Sequence, residues 1–534
     1  MELAPYIALT ILSILALGPM MRFSYELPRR LGIVVGGIAV LVYTLIYGAS
    51  VNLPIYSLYF LGGFVLCMFT SAIHADNPTL VWSEFAVWSS ILLSFTLIPI
   101  KLSAIGLSIL MVGFGINCIV VILQRIFHIE PFKQSQNATW LQPIGLIGNS
   151  NFLANFMCIG FFMSMYLGVN ESRWWLILTV LIGGVIGVTK CRGGYLGVLG
   201  GSAYLLTAII NGAIQDALIV GMICFVACTF ILYRKQLTDF GAFRERVNYL
   251  RIGIEQLRHS PILGVGLGCL RCFVPFLQRR LNVKTRGEFL QTKNYLQPWP
   301  HNCHNNLLQI AIDLGVFGAV AWVGLMVIAL MSPIDVVLKA GVVASLVAGV
   351  CLHSLYASPT NVFNWFLVFL CLRAYPETTH VVVPWYMIVA MLVFMLALCK
   401  YVLYDLIAAV YFMQFAKTKS LDKLNKASKF APTDGNILTH LAGQSHMHGK
   451  SWEGLIYSLA AIMNYDGDNK LWELWTNAGK ACLVLGAPVL ADYCNKTALT
   501  FLPNYDEGVK FSAQINDILS KGFKVIRPNG SNTT

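Results

Sequence analysis

The residues best suited to chemistry close a long polar stretch: Gln297-Pro-Trp-Pro-His301-Asn-Cys-His304-Asn305 runs directly into an apolar segment. A histidine at the mouth of a membrane helix stands at a water-accessible boundary, where its titration range suits a general base. The plain alternative is a capping or interfacial histidine. Cys269-x-x-Cys272 and His301-x-x-His304 look like four zinc ligands, but two residues separate the histidines, where structural zinc sites use roughly three to five. No metal is therefore expected. A disulfide within Cys269, Cys272 and Cys303 is the readier use of those thiols outside the cytoplasm; Cys482 and Cys494 could pair there too, or simply pack between helices. Trp299, with Tyr295 and Phe289, offers faces for sugar rings, although Trp and Tyr also populate membrane interfaces without a ligand. Glu84 and Asp313 are carboxylates in apolar surroundings and are candidates by rarity alone. Asp313 lies nine residues from His304, about half a helical turn out of phase, and is not expected to touch the same group. Gly264-Val-Gly-Leu-Gly268 lacks the flanking strand of a dinucleotide loop and reads as a flexible turn. With no other phosphate-loop signature in the chain, no nucleotide cofactor is expected.

These side chains must be carried by a chain of 534 residues that is 57% hydrophobic and 12% charged; a soluble globular protein carries about 25% charged residues. Residues 417–534 hold 23 of the charged side chains and Arg234–His301 another sixteen, twelve of them basic. The rest is almost charge-free, which excludes a water-soluble body. At roughly 20 apolar residues per crossing, spans fall near 3–21, 31–47, 54–73, 79–98, 102–124, 150–169, 174–190, 194–211, 214–233, 304–331, 334–355, 361–375 and 382–412. The expected fold class is all-α: a polytopic membrane protein of about thirteen helices, each helical because an open sheet edge is unsatisfied in lipid. Small residues such as Gly183-Gly184 and Gly200-Gly201 would let helices approach closely. The membrane domain spans 1–416, with a large polar loop at 234–303.

The net charge of +12 is concentrated in that loop. Basic charge set between apolar spans suits an anionic lipid or lipid diphosphate better than a nucleic acid. In the tail, Ala427–Pro432 recurs 34 residues later at Ala461–Asp466 and a further 37 residues on at Ala498–Pro503. A period near 34 with helix–turn–helix content and a closing Pro is the tetratricopeptide pattern, expected over 417–525 and followed by a disordered 526–534. Such repeats offer a surface for an envelope protein partner.

His304-Asn305 is followed, nine residues on, by Gly315-Val-Phe-Gly318, which resembles the signature of the O-antigen ligase and polymerase superfamily, pilin-type oligosaccharide transferases included. In family order, Gly148-Asn-Ser-Asn-Phe-Leu-Ala154 is similar to its Gly-Asn-Pro-Asn-Phe-Leu-Ala stretch, with Ser150 for Pro. Cys191-Arg192-Gly-Gly resembles its Ser-Arg-Gly element, with Cys191 for Ser. Arg246-Val-Asn-Tyr-Leu-Arg251 looks like the arginine-led helix before its glycine segment, and His259-Ser-Pro-Ile-Leu-Gly-Val-Gly-Leu-Gly268 looks like that segment. Asp313 stands where Glu is common. The resemblance runs from about Gly148 to Gly318.

The resemblance implies a metal-independent, inverting transfer of a glycan from an isoprenoid (undecaprenyl) diphosphate to an acceptor hydroxyl on lipid A core, polysaccharide or protein. Arg192 and Arg246 match the family's arginines, whose forks of donors suit phosphate oxygens, and His304 would deprotonate or orient the acceptor. Arg251, Arg271, His301, Asn305 and Trp299 are expected to line the substrate site; His301 reads as a wall residue, because Ile312 stands where a matching glycine would. The family implies the bacterial inner membrane, with the loop and tail extracytoplasmic. Lys/Arg counting favours the opposite orientation. A transporter of lipid-linked glycans, or a membrane-anchored repeat scaffold, is the competing function.

Overall fold

The computed structural model describes residues 7, 26–75, 77–98, 102–128, 143–210, 240–274, 277, 302–350, 355, 358–463, 471–501 and 505–520. The expected spans near 3–21 and 214–233, and the tail 526–534, lie outside them. The chain divides into two compact units, Met1–Gly268 with Asn302–Leu403, and Cys269–His301 with Tyr404–Thr534.

In the first unit the helices are α1 (Glu26–Tyr47), α2 (Ile55–Ile73), α3 (Pro78–Leu97), α4 (Ala104–Arg125), α5 (Ser150–Asn170), α6 (Trp175–Thr189) and α7 (Arg192–Ile210). They are followed by α8 (Phe240–His259), α9 (Asn306–Met331), α10 (Val336–Gly349), α11 (Ser358–Leu372) and α12 (Trp385–Thr418), whose last turns belong to the second unit. Seven of the described helices are long and apolar enough to cross a membrane: α1 to α5, α9 and α12. Helices α6, α10 and α11 are apolar but shorter. The chain is thus a multi-pass helical membrane protein.

Starts are set by local chemistry. Asn77, Ser103, Asn149 and Asn305 each accept a backbone N–H of the following first turn through a side-chain oxygen, satisfying donors that the helix itself leaves open. Glycines set the closest approaches. A Cβ on Gly197 of α7 would lie 2.8 Å from the Ala344 carbonyl of α10, and one on Gly201 2.7 Å from the Ala340 carbonyl. Gly200-Gly201 therefore does what small residues do between membrane helices, whereas the space beside Gly184 is open.

Two strands interrupt the helices: β1 (Ala49–Leu53) pairs antiparallel with β2 (Thr379–Val383), Ala49 opposite Val383. The fold is all-α as expected, and these two short strands lie at helix ends, where water can satisfy a sheet edge that hydrocarbon cannot. The sheet marks one end of the unit. The Arg373 guanidinium, just past α11, donates to the carbonyls of Phe95 and Thr96 at the end of α3. Tyr47, Tyr56, Tyr59, Trp174, Trp385 and Tyr386 are exposed toward this end, the position at which amphipathic rings settle in the headgroup layer.

The second unit is built from consecutive helices α13 (Leu421–Phe430), α14 (Gly435–Met447), α15 (Ser451–Met463), α16 (Leu471–Val484), α17 (Pro488–Phe501) and α18 (Asp506–Ser520). Helix α14 turns into α15 at Gly449 and α16 into α17 at Gly486, both with positive φ. In each turn the glycine N–H reaches back three residues and the next N–H five, the Schellman closure that favours glycine. The first residue of each sequence repeat, Ala427, Ala461 and Ala498, is fully buried. Ala408 and Phe415 of α12 share a core with Leu424, Ala427, Ile437 and Leu441, which is why the unit begins inside α12.

Candidate functional site

Helix α8 carries Arg246 and lies on the start of α9. The contact is made at Gly253, where a Cβ would meet Leu308, Ile312 and Cys303 at 2.9 to 3.1 Å. One turn earlier, the Tyr249 ring stacks on the His304 imidazole, centroids 5.1 Å apart and planes 21° from parallel. His304 adopts φ +54°, a left-handed backbone that costs a non-glycine residue and turns its side chain toward α8. Burial, then the positive charge of Arg246, pushes its pKa down to about 4. The ring is neutral at physiological pH, able to accept a proton from a hydroxyl and set beside a guanidinium.

The segment after α8 is not the flexible turn expected from its glycines. Helix α9 breaks at Gly315, φ 75° and ψ 179°, which frees carbonyls near the break. Val265 N–H donates to Ile312 O (2.9 Å), Gly266 N–H to Asp313 O (3.0 Å) and Val316 N–H to Pro261 O (2.8 Å). A Cβ on Gly315 would lie 1.8 Å from Ile262 O, and one on Gly264 2.3 Å from Asp313 O. Residues 261–268 are thus threaded through a broken helix, and glycine is required on both sides. Asp313, with no exposed surface, accepts from Gln309 Nε2 (3.0 Å) and Gly268 N–H (3.2 Å). Gln309 Oε1 accepts from Cys303 N–H (2.9 Å). Through Gln309, Asp313 reaches Cys303, the residue before His304.

Arg192 opens α7 after a tight turn in which Lys190 takes φ +56°. Thr189 Oγ1 accepts from Cys191 N–H (3.3 Å) and Tyr195 OH donates to Gly187 O (2.6 Å). Cys191 packs with Ala154 of α5 and Ala348 of α10. Next along α10, Gly349 abuts Asn306, and Val350 O accepts from Asn305 Nδ2 (3.1 Å). The amino end of α11 joins them where Thr360 Oγ1 reaches Phe152 O of α5 (3.5 Å). The amino ends of α5, α7, α9 and α11 therefore gather at the end of the unit opposite the sheet, and with them Arg192, Arg246 and His304. Helix amino ends carry partial positive charge and unsatisfied N–H groups, so this end suits an anion.

Other expected site residues fall differently. Asn305 is occupied as the cap of α9 and as the donor to α10. Arg251 is exposed on α8, five residues on from Arg246 and so turned well away from it. Arg271 belongs to the second unit. His301 and Trp299 lie outside the described residues. The Cys303 thiol is free and donates through Sγ to Asn305 O (3.3 Å), and the free thiols of Cys482 and Cys494 pack in the apolar core of the second unit. Among the described residues, no group of three or more His, Cys, Asp or Glu is placed to hold a metal ion.

Several side chains at the same end were not singled out for the site from sequence. Tyr249 is the partner of His304, and its place one turn after Arg246 was the available signal. The Arg29 guanidinium donates to the Leu146 and Ile147 carbonyls. Gln124 Oε1 accepts from Ile144 and Gly145 N–H and Asn117 Oδ1 from Leu146 N–H, so the lead into α5 is held by polar groups from α1 and α4. Glu84, a candidate by rarity, forms a largely buried ion pair with Arg30.

Residues 177–323, from α6 into α9, match the family model described as O-antigen ligase. Arg192, Arg246, His304, Asp313 and Gly315 all fall inside the match. No curated protein and no solved structure matches the chain. That match supports reading the chain as a membrane glycan ligase or polymerase.

Proposed function

We propose that the protein transfers a glycan from an isoprenoid (undecaprenyl) diphosphate to an acceptor hydroxyl by a single inverting displacement, without a metal. The observation that carries this reading is a neutral, half-buried His304 held against Tyr249 and beside Arg246 at the polar end of a membrane domain. In the proposed step the acceptor oxygen attacks the anomeric carbon and its proton passes to the His304 imidazole. The bond from that carbon to the diphosphate oxygen breaks, and the leaving group departs with the electron pair. Arg246 and Arg192 meet the charge that develops on it, as donors preorganised away from bulk water do most effectively.

The same arrangement couples base strength to donor binding. Arg246 lowers the histidine pKa in the empty site, and a diphosphate paired with Arg246 would offset that charge. His304 then becomes a better proton acceptor when the leaving group is in place. We place this end of the bundle and the tail outside the cytoplasm of a bacterial inner membrane, following the family rather than the Lys/Arg count. We read the tail as tetratricopeptide-like, the Gly449 and Gly486 hairpins being its best support, and as a surface for an envelope protein. The acceptor class, whether lipid A core, polysaccharide or protein, is the choice left to experiment.

The test compares the envelope glycans of a deletion strain complemented by wild type or by His304→Ala. Loss of a glycoconjugate with accumulation of lipid-linked glycan, rescued by wild type alone, is the expected result and names the acceptor. Rescue by both would make His304 structural and move a transporter of lipid-linked glycan ahead.

A further inference from the structure

We infer that Asp313 and Gln309 are positioning residues: a hydrogen-bond relay that locks the backbone before His304 to the segment leaving α8, and so fixes His304 relative to Arg246. The inference rests on the transferase reading for its catalytic consequence, though not for its geometry. His304 and Arg246 come from different elements, so their spacing is set only by what ties those elements together.

The relay has a required polarity. Cys303 N–H can only donate, so Gln309 must present Oε1 to it, at 2.9 Å. That orientation turns Nε2, a donor, toward residue 313, where it meets Oδ1 at 3.0 Å. Gly268 N–H, also a donor, meets Oδ2 at 3.2 Å. Residue 313 must therefore accept on both of its side-chain atoms, at a position with no exposure. A carboxylate does this; an amide of the same shape has one oxygen and presents a donor on the other side. In Asp313→Asn, either Gly268 or Gln309 faces N–H to N–H. If Gln309 flips to recover, Cys303 loses its acceptor.

Both ends of the relay sit where the backbone needs holding. His304, next to Cys303, is in the left-handed region at φ +54°, and Gly268 closes the glycine segment at φ +74°. Residues 261–268 continue directly from α8, which carries Tyr249 and Arg246. A single buried carboxylate thus fastens the loop bearing the base and the exit of the helix bearing the cation. Displacements of about 1 Å from distant changes can cost about 10²-fold in rate.

The experiment uses full-length protein in lipid vesicles: wild type, Asp313→Asn, Gln309→Met and the double variant, with thermal stability measured on each preparation. The first arm is hydrogen–deuterium exchange at the Cys303 and Gly268 amides. Both are expected to be protected in wild type, one or the other released in Asp313→Asn, and Cys303 in Gln309→Met, the milder change should Asp313→Asn not fold. Unchanged protection at Cys303 in Gln309→Met, or at both amides in Asp313→Asn, overturns the relay whether or not the protein is a transferase. The second arm titrates an isoprenoid-diphosphate glycan extract from the deletion strain, with membranes of that strain as acceptor. Each single variant should lose about 10²-fold in kcat with the KM for donor within about twofold, and the double variant should lose no more than the worse single one. Losses that multiply, or that fall on KM, overturn the positioning role. Wild-type protein that forms no glycoconjugate would refute the transferase reading while the exchange arm still decides the relay.

Discussion

At His304 the charge state decides what the side chain can do. Burial and Arg246 both disfavour the imidazolium and bring the pKa from 6.5 to about 4, so the proton-accepting form persists well into acid. The acidic limb of kcat/KM for the free enzyme is therefore expected near pH 4 to 5 rather than near 6.5, activity falling as pH drops through the lowered pKa. In Arg246→Gln one of the two lowering influences is gone, and the limb should move up but stop short of 6.5 because burial remains. A wild-type limb between 6 and 7 would refute the neutral, half-buried base. His304→Ala removes the acceptor itself and should cost roughly 10²–10⁴-fold in transfer with the folded yield unchanged, as judged by size-exclusion chromatography in detergent. His304 was legible from its place before an apolar run; for its Tyr249 partner the only sign was a place one turn after Arg246, because stacking between two elements is decided when they pack.

Among the elements, the break in α9 deserves the most weight. Gly315 sits at φ 75° and ψ 179°, a region open essentially to glycine alone, and a Cβ there would press into Ile262 O. Gly315→Ala should lower stability by at least about 1–3 kcal/mol, seen as a drop in Tm of the detergent-solubilised protein, and should loosen residues 261–268. Gly62→Ala is the control, since nothing lies within 4 Å of the added methyl; equal Tm values for the two variants would sink the account. The glycines of residues 264–268 were visible in the sequence. Their role was not: free turn glycines and glycines clamped against a broken helix look alike until the carbonyls of Ile312 and Asp313 are found beneath them. Arg192 shows the converse. Its place in Cys191-Arg192-Gly-Gly flagged it, and the turn pinned by Thr189 and Tyr195 explains how it is held at the polar end.

For the whole molecule, the open question is what the tail contributes. Ala427, Ala461 and Ala498 are buried and two hairpins close at Gly449 and Gly486, so the tail has its own packing. Under the transferase reading, ending the chain at residue 416 should leave glycosidic bond formation detectable while changing acceptor choice or stability. Complete loss, with the membrane domain intact by size-exclusion chromatography, would favour a scaffold whose function resides in the repeats.

The sequence by itself determined the class: the near absence of charge outside the polar loop and tail demands lipid, the glycine and cap residues mark helix ends, and the ordered motifs lead to the family. Tertiary structure decided which polar residues act together. Asn305 became a cap and Arg251 turned to solvent, while Tyr249, Gln309 and Asp313 joined the neighbourhood of His304. The reason is physical. Periodicity and composition report the environment each residue needs, and long-range hydrogen bonds such as Asp313 to Gly268 are chosen only when α8 and α9 pack.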